Sequence, residues 1–225
     1  RSPTKAFDRE DIRTAHLVRH ATVLDSVRGE PGISGSFGWC MFDYNTHKDF
    51  GSGDRICYHG VCDMFRNPKP AASVYAASGS VDEPVLEISS DMNIGEHPAG
   101  NKGDVYIVTN CDSVKMYKND EFIKEYHHSD SPFKNLPNAP ILIDDYIGDR
   151  MKEREGFTDR QNDIVKEALN YIGRYGGNDI PPKIKLRLGE AMARYRMNFQ
   201  NAYDLYGKYI GDWGGKSTGF KFVGI

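Results

Sequence analysis

The chain has little that would tie it to a specialised environment. Its 225 residues include only four cysteines, Cys40, Cys57, Cys62 and Cys111, and three of these crowd into one stretch. That usage is too sparse and uneven for a disulfide framework and reads as packed, reduced thiols. No apolar run reaches membrane-spanning length, and the first residues lack the basic and apolar regions of a secretory signal. Neither sign of charge dominates: 29 Lys and Arg stand against 32 Asp and Glu, for a formal net charge of -3. This balance argues against a nucleic-acid partner, while the reduced-thiol cysteine usage leads to an expected cytoplasmic location. At 39% hydrophobic and 27% charged residues the composition is ordinary for a globular chain of one or two domains.

Against that plain background, residues 37–69, FGWCMFDYNTHKDFGSGDRICYHGVCDMFRNPK, stand out. They gather a Trp, several Tyr and Phe, and Asp and His residues around glycines. A pyranose presents an apolar C–H face that stacks on indole or phenol, and hydroxyls that need carboxylate or imidazole partners in a concave, partly dry pocket. Trp39, Asp43, His47, Tyr58 and His59 supply both kinds of group. The run at 33–42 reads as a short apolar strand opened by the turn Glu30-Pro31-Gly32, with polar residues starting only at its C-terminal end.

The pattern GSFGW, then DYNTHKDFGSGDRICYHGVCDMFRNPK, then Ala71-Ala72-Ser73-Val74-Tyr75 resembles the last strand, loop and helix of the catalytic barrel in glycoside hydrolase family 2, the β-galactosidase-like enzymes. In such a barrel the site lies at the C-terminal ends of the strands. The resemblance implies that Trp39 stacks on sugar and that Asp43, His47, Tyr58 and His59 are further contacts. Where well-known members carry an asparagine that touches sugar and helps hold a monovalent cation, this chain has His59, so only the sugar contact is carried over. Retaining enzymes use two carboxylates about 5 Å apart. In the family both lie upstream of the matched segment. The expectation is therefore a C-terminal fragment that begins just past the seventh barrel strand, has no catalytic residue of its own and is silent alone, with an incomplete barrel exposing apolar surface.

The expected fold is α/β plus all-β: the last strand and helices of a (β/α)8 barrel over 1–79, then an incomplete immunoglobulin-like β-sandwich over 80–225. Asp8 is a plausible N-cap for a helix to about Val27, and a closing helix follows at 70–77. Ser78-Gly79-Ser80 reads as the linker. Beyond it, runs at 84–88, 105–109, 114–117, 122–126, 140–143 and 220–224 read as strands, with a turn at Asn119-Asp120. The segment from Asp104 to Asp120 resembles the immunoglobulin-like domain that follows the barrel in many family members. A helical insertion spans about 146–214. Thr158 to Gln161 has capping-box spacing, and an apolar stripe follows at Ile164, Val165, Ala168, Leu169 and Ile172. A second helix opens at Pro181-Pro182, with its stripe running from Ile184 to Tyr206.

Each feature also has a plainer reading. Trp39 could be core, Asp43 and His47 could cap loop turns, and the lysines and arginines of the insertion could form a solvated face. Two other functions compete with the glycosidase: a non-catalytic carbohydrate-binding or subunit-interaction module, and a metal-dependent hydrolase built on Cys57, His59 and Cys62. The latter spacing is no standard zinc pattern. No metal and no cofactor are expected. The expected partners are a carbohydrate, a β-galactoside or related β-glycoside, and further copies of the parent enzyme.

Overall fold

The computed structural model describes residues 3–49, 53–79, 82–92, 101–211 and 218–225. Ser80 of the expected linker, residues 50–52 of the polar loop and residues 212–214 at the end of the insertion lie outside them. The described chain is mixed α/β with small antiparallel sheets.

Helix α1, Glu10–Gly29, opens the chain and α2, Pro70–Ser78, packs beside it. Asp8 is not the cap of α1. Arg9 holds that position without a side-chain bond, and the Asp8 carboxylate instead accepts from the Lys5 amide at 2.7 Å. Between the helices come two short strands, β1, Tyr44–Asn45, and β2, Ile56–Cys57, paired antiparallel.

The expected strand at 33–42 does not form. Residues 31–39 are exposed irregular chain, and only the last part is held, by a parallel bridge between Phe42 and Cys62. A strand is stable only with neighbours, and among the described residues none lies alongside the first part of this run. Ile33, Phe37, Trp39 and Met41 are consequently exposed.

The remaining strands are β3, Leu86–Ile88, β4, Tyr106–Thr109, β5, Ser113–Lys118, β6, Glu121–His127, β7, Ile141–Leu142, and β8, Phe220–Gly224. They form two antiparallel sheets, ordered β3-β4-β7 and β6-β5-β8. Asn119 and Asp120 both have positive φ, 51° and 64°, as a two-residue hairpin of matching twist requires.

Between β7 and β8 the insertion folds as α3, Arg150–Glu155, α4, Asp159–Tyr175, α5, Pro182–Tyr195, and α6, Phe199–Tyr209. Thr158 caps α4, accepting from the Gln161 amide. The long second helix of the sequence reading is two. Arg196 turns left-handed at φ 53°, and Asn198 starts a fresh capping box with Asn201. The apolar spacing runs through the break, but the local caps end one helix and begin another.

Strand β4 joins two cores. Val105 and Ile107 pack with Val114, Met116, Ile141, Ile164 and Leu169. Tyr106 and Val108, pointing the opposite way as strand alternation demands, pack with Leu17, Ala21, Ala71 and Val74 of α1 and α2.

Candidate functional site

The site rests on two backbone segments tied together, 40–43 and 59–62. The Val61 amide donates to the Cys40 carbonyl at 3.0 Å, the Cys62 amide to Met41 at 2.8 Å, and the Asp43 amide to Cys62 at 3.0 Å. Gly60 lies so close to the opposite chain that a Cβ there would stand 2.3 Å from the Asp43 nitrogen and 2.4 Å from the Cys62 carbonyl oxygen. No other residue fits.

Beneath this crossing sits a buried ion pair. Lys69 Nζ donates to Asp43 Oδ1 at 2.7 Å and to the Thr4 carbonyl at 2.7 Å, and the Gly60 amide donates to the same Asp43 oxygen at 2.9 Å. Both side chains are closed to solvent, at 0% and 3% exposure. The Asp43 carboxylate, expected to meet a sugar hydroxyl, is thus spent within the protein. It holds the chain that carries His59.

Above the crossing, Trp39 and His59 line one cleft of about 420 Å³. Trp39 is 61% exposed, stands edge-on to Tyr44 with ring centres 6.3 Å apart, and donates from its indole nitrogen to the Tyr44 hydroxyl at 3.3 Å. His59 Nδ1 lies 3.0 Å from Cys57 Sγ.

The other expected contacts lie elsewhere. Tyr58 is buried, with its hydroxyl donating to Asp54 at 2.6 Å and its ring under the Lys5 ammonium. The Asp54 hydrogen bond, then burial, pushes the Tyr58 phenol up to about 12. His47 is exposed on the loop, with its Nδ1 at 3.3 Å from Asp49.

Three cleft groups escaped the sequence reading: His16 and His20 on α1, and Tyr75 on α2. They form a relay. The Tyr75 hydroxyl is 2.8 Å from His20 Nδ1, and His20 Nε2 is 3.1 Å from His16 Nε2. Burial, then the neighbouring His20 and Lys69, pushes His16 down to about 3, so it is neutral at physiological pH. The available signal was the i,i+4 spacing of the two histidines, which places them on one helix face.

Among the described residues no carboxylate lines this cleft. It offers aromatic faces, the imidazoles of His16, His20 and His59, and the side chain of Arg19. No group of three or more His, Cys, Asp or Glu side chains is gathered in metal-holding geometry among those residues. All four cysteines are free thiols, and burial raises Cys40 and Cys62 above their ordinary range, away from the thiolate form.

No family model matches the chain. In sequence it is 42% identical over 181 residues, 79% of its length, to the β-galactosidase of Thermoanaerobacterium thermosulfurigenes. It is 40% identical over 141 residues to that of Thermoanaerobacter pseudethanolicus, and 34% identical over 146 residues to that of Rhizobium meliloti. The chain spans 24%, 19% and 19% of those relatives' lengths. Among solved structures, an FMN-binding β-glucuronidase from Facaelibacterium prausnitzii L2-6 superposes with a TM-score of 0.47 at 17% identity, covering 63% of this chain and 21% of that one. A β-glycosidase from Bacteroides vulgatus does so at 0.42 and 21% identity, covering 55% and 15%. The sequence similarity, rather than these partial superpositions, supports a glycosidase kinship.

Proposed function

We propose that this chain is part of a retaining β-glycosidase of the β-galactosidase-like kind, comprising the end of a (β/α)8 barrel followed by an immunoglobulin-like sandwich with a helical insertion. The observation that carries this reading is the 42% identity over 181 residues to a β-galactosidase. The exposed indole beside His59 at a cleft mouth is the chemistry such a protein needs.

In this reading a sugar rests its apolar face on Trp39 and directs a hydroxyl to His59. Asp43 acts from below: its bond to the Gly60 amide and its pairing with Lys69 hold the turn that presents the imidazole. His47, exposed on its loop, and Tyr58, buried with its hydroxyl on Asp54, stand outside this contact. In this reading two carboxylates from elsewhere in the parent protein perform the double displacement with retention. The exposed apolar run through Ile33, Phe37 and Met41 is then the edge that the rest of the barrel covers.

The test is hydrolysis of a panel of nitrophenyl β-glycosides by this chain alone and by a chimera joining it to the upstream part of the Thermoanaerobacterium relative. Turnover by the chimera alone is the expected result. In the chimera, Trp39→Ala should lower kcat/KM roughly tenfold, equivalent to ~1.4 kcal/mol of transition-state binding. A folded chimera inactive on every substrate, or turnover by the chain alone, would overturn the proposal.

A further inference from the structure

Trp39 and His59, which meet at the cleft mouth, are the two ends of one hydrogen-bonded chain. Trp39 Nε1 donates to the Tyr44 hydroxyl at 3.3 Å. Tyr44 and Cys57 stand opposite each other in the register of β1 and β2, and the Tyr44 hydroxyl hydrogen-bonds the Cys57 side chain. Cys57 Sγ in turn lies 3.0 Å from His59 Nδ1. The order is therefore indole, phenol, thiol, imidazole. Neither Tyr44 nor Cys57 lines the cleft, so both act through the groups that do.

The indole gives this chain its direction. An indole N–H donates and cannot accept, so the Tyr44 oxygen is the acceptor of that bond and has its own hydrogen left for Cys57. The Cys57 bond, ahead of the opposing indole, raises the Tyr44 phenol and keeps it an O–H. The sulfur accepts that hydrogen. Its own hydrogen needs a partner too, because Cys57 is only 1% exposed. Its bonded neighbours among the described residues are the Tyr44 oxygen and His59 Nδ1. The phenol oxygen already accepts from Trp39, and an imidazole nitrogen, whose conjugate acid has a pKa of about 6.5, is by far the stronger base. The thiol therefore donates to Nδ1. That nitrogen then carries no hydrogen, and the neutral ring holds its single hydrogen on Nε2.

We propose that Cys57 is a positioning residue that holds His59 as the Nε2–H tautomer, so that the cleft presents a hydrogen-bond donor beside the Trp39 face and the ligand atom meeting His59 is an accepting oxygen. In the glycosidase reading, on which this last step rests, that atom is the oxygen of a sugar hydroxyl, whose own hydrogen turns to another acceptor. With the opposite tautomer the ring would show the cleft a lone pair and take the hydroxyl's hydrogen instead.

Infrared spectroscopy of the S–H stretch and nitrogen NMR of the histidine rings, both on the full chain without substrate, test the assignment. The Cys57 band is picked out by its loss in Cys57→Ser. It is expected below the frequency of a free thiol, as for any donating S–H, to return to the free position in His59→Phe and to stay shifted in Tyr44→Phe. At neutral pH the NMR should show His59 protonated on Nε2 and not on Nδ1, in Tyr44→Phe as in the natural chain. An unshifted band, a shift lost in Tyr44→Phe, or a hydrogen on Nδ1 would overturn the proposal. Tyr44→Phe removes one oxygen from a half-buried ring and decides the direction should His59→Phe fail to fold. In the chimera described above, Cys57→Val should raise KM roughly fivefold with kcat nearly unchanged, and Cys57→Ser, which keeps a donating hydrogen, should restore it. Equal losses in the two variants would overturn the positioning role. An inactive chimera would count against the glycosidase reading alone, since the spectra need no turnover.

Discussion

At the scale of single residues, the Lys69–Asp43 pair is the most consequential contact near the site. Removing the ammonium leaves a carboxylate buried without its counter-charge, so Lys69→Met should cost about 3–5 kcal/mol in urea unfolding. Gly60→Ala should be comparably damaging, because the added methyl meets backbone rather than a movable side chain. His16 makes a pH-dependent contribution. Its folded value is about 3 against an ordinary 6.5, so between these values the unfolded chain binds a proton that the folded chain refuses. That contribution is fully present above pH 6.5 and is lost as pH falls toward 3, with a slope of up to ~1.4 kcal/mol per pH unit. Unfolding at pH 7 and pH 4.5 should therefore show a larger acid loss in the natural chain than in His16→Gln. None of this was visible locally: Lys69 lies 26 residues from Asp43, and Tyr75 lies 55 from His20.

At the scale of elements, local chemistry was a good guide wherever a segment satisfies itself. The Asn119-Asp120 hairpin, the Thr158 cap and α2 behind Pro70 all form where their residues point. It misled where two local rules competed. The stripe from Ile184 to Tyr206 has continuous helical spacing, yet Asn198 and Asn201 exchange two capping bonds at 2.9 Å that break it. Asn198→Ala should cost about 1 kcal/mol, read as a fall in the unfolding midpoint. The run at 33–42 failed for the opposite reason, since a strand cannot satisfy itself and its alternation is only a demand for partners.

At the scale of the whole molecule, β4 presents Ile107 to one core and Val108 to the other. The helices α1 and α2 therefore share a strand with the core of the two three-stranded sheets and the later helices. A single calorimetric transition with matching van't Hoff enthalpy is expected, and Leu17→Ala, which opens a cavity of fully buried aliphatic surface, should lower it as a unit by about 2–5 kcal/mol. The sequence by itself determined what short range controls: helix and hairpin positions, free thiols, the aromatic loop and its similarity to segments of β-galactosidases. Only the tertiary structure decided which of those groups meet. It buried Asp43 against Lys69, sent Tyr58 and His47 away from Trp39, and brought His16, His20 and Tyr75 to the cleft. Such contacts depend on how distant helices and loops pack, and no periodicity or spacing along a chain encodes which buried charge will find which partner.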